Sequence, residues 1–178
     1  MSLPWERFVA VGDSLTEGVG DPVRGSLTGW ADRLSAALRV DNPDLAYWNL
    51  ARRSLLTSEV RDAQLDRALE LSPDLVSVVV GMNDLLAQSF SSDRFREDLA
   101  SLVTPLVDSG ATVMMGTFPP DLPLLRLMPR LGAAKYRSRL QAASDVVRML
   151  ATEHGAVLVD VPEGWRYTLS ECSIDGCH

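Results

Sequence analysis

Leu75–Val80 reads LVSVVV, an almost unbroken run of β-branched residues. A strand with one wet face alternates apolar and polar side chains. A run without alternation fits a strand covered on both faces. Both faces of a sheet are covered when helices pack on each side, the arrangement of a parallel sheet joined by helical crossovers. Similar short runs recur at Phe8–Val11 (FVAV), Leu45–Leu50 (LAYWNL), Thr112–Thr117 (TVMMGT) and Ala156–Val161 (AVLVDV). Each is followed or preceded by turn residues, so all five read as strands.

Helical spacing fills the gaps. Gly29–Arg39 places Trp30, Leu34 and Leu38 on one face, and Ser58–Leu71 opens on a Ser cap with Val60, Leu65, Ala68 and Leu69 near one face. Further helices are predicted over Asp93–Ser109, closed by Gly110, and over Ala133–Glu153, ended by His154-Gly155. The expected fold is α/β, a three-layer α/β/α sandwich of the flavodoxin-like type around a five-stranded parallel sheet. At 178 residues, 46% hydrophobic and 23% charged, the chain is read as one globular domain over 1–178. The segment MSLPWERF carries no basic-then-apolar leader pattern and no apolar segment is of membrane-spanning length, so a cytoplasmic location is expected. A net charge of −7 argues against nucleic acid and anionic membrane surfaces as partners. Cys172 and Cys177 are expected as free thiols. With His178 they would still lack a fourth zinc ligand, so neither metal nor cofactor is expected.

Doubly wound sheets bind ligands beyond the carboxyl ends of their strands. Past the first strand comes Gly12-Asp13-Ser14, past the second Ala51-Arg52-Arg53-Ser54, past the third Gly81-Met82-Asn83-Asp84, and past the fifth a run ending Asp175-Gly176-Cys177-His178. Acyl transfer by a serine needs a hydroxyl, a base, a group that orients the base, and donors for the oxyanion. Of the two histidines, His154 suits a helix C-terminus, so if a histidine activates Ser14 it is His178. Asp175, three residues earlier, is placed to orient it. Asn83 offers an amide N–H at the same edge. Each element has a plainer reading. Ser14-Leu15-Thr16-Glu17 fits a capping box with Ser14 as the cap, Asn83 fits a turn or cap, and Asp175-Gly176 fits a turn.

Taken together, the set resembles the SGNH hydrolases, the GDSL esterase/lipase family. GDSLTEG (Gly12–Gly18) resembles the block that carries the nucleophile, Ser14, with Asp13 in support. GMND (Gly81–Asp84) resembles the block that supplies Asn83 to the oxyanion hole, with Gly81 in support, and DGCH (Asp175–His178) the terminal block of orienter and base. The resemblance implies an esterase of small carboxylic esters, working through an acyl-enzyme, with the Ser14 and Ser54 backbone N–H groups and the Asn83 side chain as oxyanion donors. Ser54 stands where the family has glycine. A backbone donor survives that change, but a left-handed backbone there would strain a serine. The chain stops at His178, where the family usually continues into a closing helix, so either a longer natural protein or a loosely anchored base is expected. The apolar stretch Asp121–Leu131 (DLPLLRLMPRL) is read either as core or as the wall of an acyl pocket, with Leu125 and Met128 as lining residues. Arg52 and Arg53 are expected to be solvated. Carbohydrate deacetylation, lysophospholipid hydrolysis and thioester hydrolysis are alternatives within the family. A non-catalytic binding domain is an alternative outside it. A phosphate binder built on the Gly12–Gly18 turn would lack G-x-G-x-x-G and the Walker lysine.

Overall fold

A computed structural model of the chain describes residues 5–19, 22–23, 26–119 and 130–161. Strand β1 (Arg7–Gly12) is central to the site. It is followed by α1 (Ser14–Glu17), a two-stranded antiparallel ribbon of β2 (Pro22–Val23) and β3 (Ser26–Leu27), and α2 (Trp30–Asp41). Then come β4 (Ala46–Asn49), α3 (Thr57–Glu70), β5 (Leu75–Val79), α4 (Met82–Leu86) and α5 (Ser92–Asp108). Strand β6 (Thr112–Gly116), α6 (Arg130–His154) and β7 (Val157–Val159) complete the described chain.

The main sheet has strand order β4-β1-β5-β6-β7, and every neighbouring pair is parallel. The five predicted strands are therefore all present, each within two residues of its expected ends. The order reverses at β1. The chain goes outward from β1 to β4, then returns to the other side of β1 at β5. This is the point at which adjacent crossovers leave in opposite directions and open a crevice.

Period two divides the core. Val9, Val11, Val76, Val78, Val113 and Met115 point to one face, where they meet α3, α5 and α6 through Val60, Leu99, Leu102, Leu106, Leu140 and Leu150. Phe8, Ala10 and Leu75 point to the other face, against Ala31 and Leu38 of α2. Phe8 stacks on Tyr47 with ring centroids 5.1 Å apart. Apart from half-buried Tyr47, these side chains are almost fully withdrawn from water, at about 1.5–3 kcal/mol each for the larger ones.

Three local expectations are corrected. The cap of α1 is Asp13, whose Oδ1 accepts the Leu15 N–H at 3.1 Å, and Ser14 is the first residue of the helix. The cap position of α3 is Leu56, with Ser58 inside the helix, because the donor side is served from elsewhere. Glu59 accepts the Leu56 N–H at 2.8 Å, and Asp84 accepts the Thr57 N–H at 3.0 Å. The last helix begins at Arg130, three residues earlier than its apolar spacing suggests. Helix α4 and the β2–β3 ribbon are additional elements, too short to leave a periodic signal.

Candidate active site

The site is assembled from three consecutive strand ends, those of β4, β1 and β5. At the end of β1, Asp13 is buried and carries the capping role that the sequence assigned to Ser14. The N–H of Glu17 is taken by the Asp13 carbonyl at 2.9 Å. Among the described residues no hydrogen bond uses the hydroxyl or the N–H of half-buried Ser14 at the helix start. Burial pushes the Asp13 carboxyl up from its ordinary range, and the N–H groups of Leu15, Gly81 and Met82 oppose that shift. Oδ2 is buried and has no hydrogen-bond partner among the described residues.

At the end of β4 the chain enters the loop that carries Ser54. Ser54 has φ 67°, the left-handed conformation in which serine is strained. Several bonds tie this loop and the end of β4 to their neighbours. The Arg52 N–H donates to the Gly12 carbonyl at 3.2 Å, and the Asn49 amide donates to the Thr16 carbonyl at 2.8 Å. Glu17 accepts the Arg53 N–H at 2.7 Å, and the Asn83 amide donates to the Leu55 carbonyl at 2.8 Å. Arg53 also forms an ion pair with Glu17, with Nη2 3.0 Å from Oε1, which holds the Glu17 carboxyl below its ordinary range. Arg52 and Arg53 are both exposed, as expected, but Arg53 is engaged rather than merely solvated.

At the end of β5, Gly81 caps α4 with φ 120°. A Cβ there would run into the rings of Phe95 and Phe118, so this position admits only glycine. Asn83 is the second residue of α4. One of its two amide hydrogens goes to Leu55, and the second has no acceptor among the described residues. Helix α4 is clamped from α6. Arg139 donates to the carbonyls of Leu85 and Ala87, each at 2.7 Å, and its guanidinium lies over the Phe90 ring, 5.4 Å from the centroid. Asp84 accepts both the N–H and the hydroxyl of Thr57 at 3.0 Å, so the residue after Asn83 fixes the start of α3. Burial raises the Asp84 carboxyl above its ordinary range.

The structure thus joins the turns of Ser14, Ser54 and Asn83 through named hydrogen bonds. Asp175, His178, Leu125, Met128, Cys172 and Cys177 lie outside the described residues. Sequence reasoning passed over Gln64 and Arg139, and it read Glu17 as a capping-box carboxylate, whereas Glu17 bonds to Arg53. Gln64 had a signal: it sits four residues from both Val60 and Ala68, a polar side chain in the middle of the buried stripe of α3.

The family described as GDSL-like Lipase/Acylhydrolase matches this chain over residues 10–175. No curated protein sequence matches it significantly. Among solved structures, an α/β hydrolase from the metagenome of Lake Arreo, Spain, superposes with a TM-score of 0.69 at 20% identity, over 87% of this chain and 76% of that one. An acetylxylan esterase from Geobacillus stearothermophilus gives 0.69 at 20% identity, over 90% of this chain and 78% of that one. A psychrotrophic esterase from Pseudoalteromonas gives 0.66 at 18% identity, over 88% and 77%.

Proposed function

The chain belongs to the GDSL-like lipase/acylhydrolase family and is a carboxylic ester hydrolase, and from that premise we propose that its nucleophile is Ser14 and its substrates are small carboxylic esters. The observation that carries this reading is the cap exchange at the end of β1. Asp13 takes over the helix cap, and among the described residues nothing bonds to the Ser14 hydroxyl or N–H at the sheet's carboxyl edge.

In the proposed reaction the Ser14 Oγ forms a bond to the ester carbonyl carbon while its proton passes to the His178 imidazole. Asp175 holds the imidazole in the tautomer that accepts at the serine side. The carbonyl oxygen becomes an oxyanion, and the donors for it are the Ser14 N–H, the Ser54 N–H and the second hydrogen of the Asn83 amide. Collapse of the tetrahedral species breaks the bond to the alkoxy oxygen, which leaves as an alcohol with the proton from His178. Water, deprotonated by His178, then attacks the acyl carbon, and Ser14 regains its hydrogen. The backbone donors sit on a loop and a helix start that are bonded to each other, so they need little reorganisation as charge develops.

The test pairs wild type with Ser14→Ala. Each is given a short p-nitrophenyl ester and, separately, a fluorophosphonate followed by intact mass. Turnover and a single adduct in wild type, both lost in Ser14→Ala, are expected. Turnover that survives in Ser14→Ala would move the nucleophile elsewhere. A wild-type chain that neither turns over nor labels would favour a binding domain with this fold.

A further inference from the structure

Strand β1 ends in a hydrogen-bonding problem. Its N–H and C=O groups alternate between its two neighbours. The Ala10 carbonyl accepts the Leu50 N–H at 2.9 Å, so the groups of Gly12, two residues on, also face the β4 side. The β4 register ends at Asn49, opposite Ala10. The chain beyond returns one donor, the Arg52 N–H, to the Gly12 carbonyl. The Gly12 N–H is left without a strand partner, in a place closed to water.

Gln64 of α3 fills the gap. Its Oε1 accepts the Gly12 N–H at 3.0 Å and its Nε2 donates to the Gly12 carbonyl at 2.9 Å. The side chain is 2% exposed. A primary carboxamide carries a donor and an acceptor side by side, as a strand edge does, so Gln64 stands in for the strand residue that β4 no longer provides. The fit has no slack on the other side. A Cβ on Gly12 would collide with the Thr16 hydroxyl and the Val79 carbonyl. Gly12 is therefore held between Gln64 and the β5 edge, two residues before Ser14.

We propose that Gln64 is a positioning residue for the nucleophile. It sets the exit direction of β1 through Gly12, and so the place of the Ser14 hydroxyl and N–H relative to the Ser54 and Asn83 donors. The inference rests on the reading of Ser14 as nucleophile. Gln64 touches neither substrate nor the reacting atoms. It acts through the backbone, where a displacement of about 1 Å can cost roughly a hundredfold in rate.

Gln64→Met keeps the length and volume of the side chain and removes both bonds. Gln64→Leu is the second variant, in case Met slides into a different rotamer. Both are compared with wild type at a temperature where circular dichroism shows each to be folded. The readouts are kcat and KM for a short p-nitrophenyl ester, and the fluorophosphonate inactivation rate per folded molecule. The expected result is a fall of roughly ten- to a hundredfold in kcat and in the inactivation rate, with KM little changed. A role confined to packing would lower Tm and leave these rates per folded molecule as in wild type, and that result would overturn the inference while Ser14 stands. Wild type that does not label at all would instead overturn the reading of Ser14, and the inference with it.

Discussion

The side-chain amide of Asn83 donates to the carbonyl of Leu55 at 2.8 Å, one residue beyond Ser54. Two segments 28 residues apart in sequence are thereby locked together at the edge where the oxyanion donors are proposed to converge. The bond spends one hydrogen of the amide and orients the other.

Asn83→Ala removes the proposed donor and the tether together. Turnover of a short ester is expected to fall roughly 10²–10³-fold in kcat. Asn83→Asp keeps the size but places an acceptor against the Leu55 carbonyl and against the oxyanion, so it is expected to be at least as inactive. Steady-state kinetics on the two variants, with thermal melts as the control for folding, check this. Wild-type kcat in both would remove Asn83 from the oxyanion site.

Ser54 is exposed and sits at φ 67°. Ser54→Gly is expected to raise stability by about 1 kcal/mol, since glycine enters this region without the clash of a Cβ against the carbonyl. Because the proposed donor is the backbone N–H, turnover should be kept. Ser54→Val should do the opposite on stability, as a β-branched side chain suits this conformation least. Urea unfolding midpoints of the three proteins give the order directly.

The Glu17 carboxyl is held below its ordinary range by the hydrogen bonds and charge of Arg53. Its folded value is lower than its unfolded one, so its contribution to stability is present above the unfolded pKa, about 4.3. The contribution is lost as pH falls through the lowered folded value. Glu17→Gln should therefore melt below wild type at pH 7, and the gap should narrow as the pH is taken down through and below the unfolded value, about 4.3. The ion pair is exposed, so added salt should also narrow the gap at pH 7. A gap that is constant from pH 7 to pH 3 would count against the pairing.

Asp84 takes both polar hydrogens of Thr57, and Thr57 is fully buried. Asp84→Ala leaves that N–H and hydroxyl unpaired and is expected to cost about 2 kcal/mol. Thr57→Val removes the hydroxyl at similar shape. The double variant should lose less than the sum of the singles, because one interaction is shared. Additive losses in a denaturant series would show that the two residues are uncoupled.

Much of this fold was legible in the chain because burial leaves a periodic trace. Five apolar runs and four amphipathic stretches are enough to set a parallel sheet with helical crossovers, and the run LVSVVV alone places β5 inside it. Chain order along the strands also pointed to the carboxyl edge, where Ser14, Ser54 and Asn83 follow three neighbouring strands. Short elements escaped, since α4 and the β2–β3 ribbon do not last for two periods.

Side-chain partnerships could not be read in the same way, because they depend on which distant backbone groups lack a partner. Asp13 displaces Ser14 as cap, a competition between adjacent residues that one-dimensional patterns do not resolve. Gln64 bonds to Gly12 across 52 residues, Asn83 to Leu55 across 28, and Arg139 to Leu85 across 54. Sequence by itself determined which residues are apolar at which period, and hence the sheet and the edge that holds the site. Tertiary structure alone decided where the strand ladders run out, and an orphaned buried N–H or C=O costs enough that a side chain from another element is drawn in to meet it.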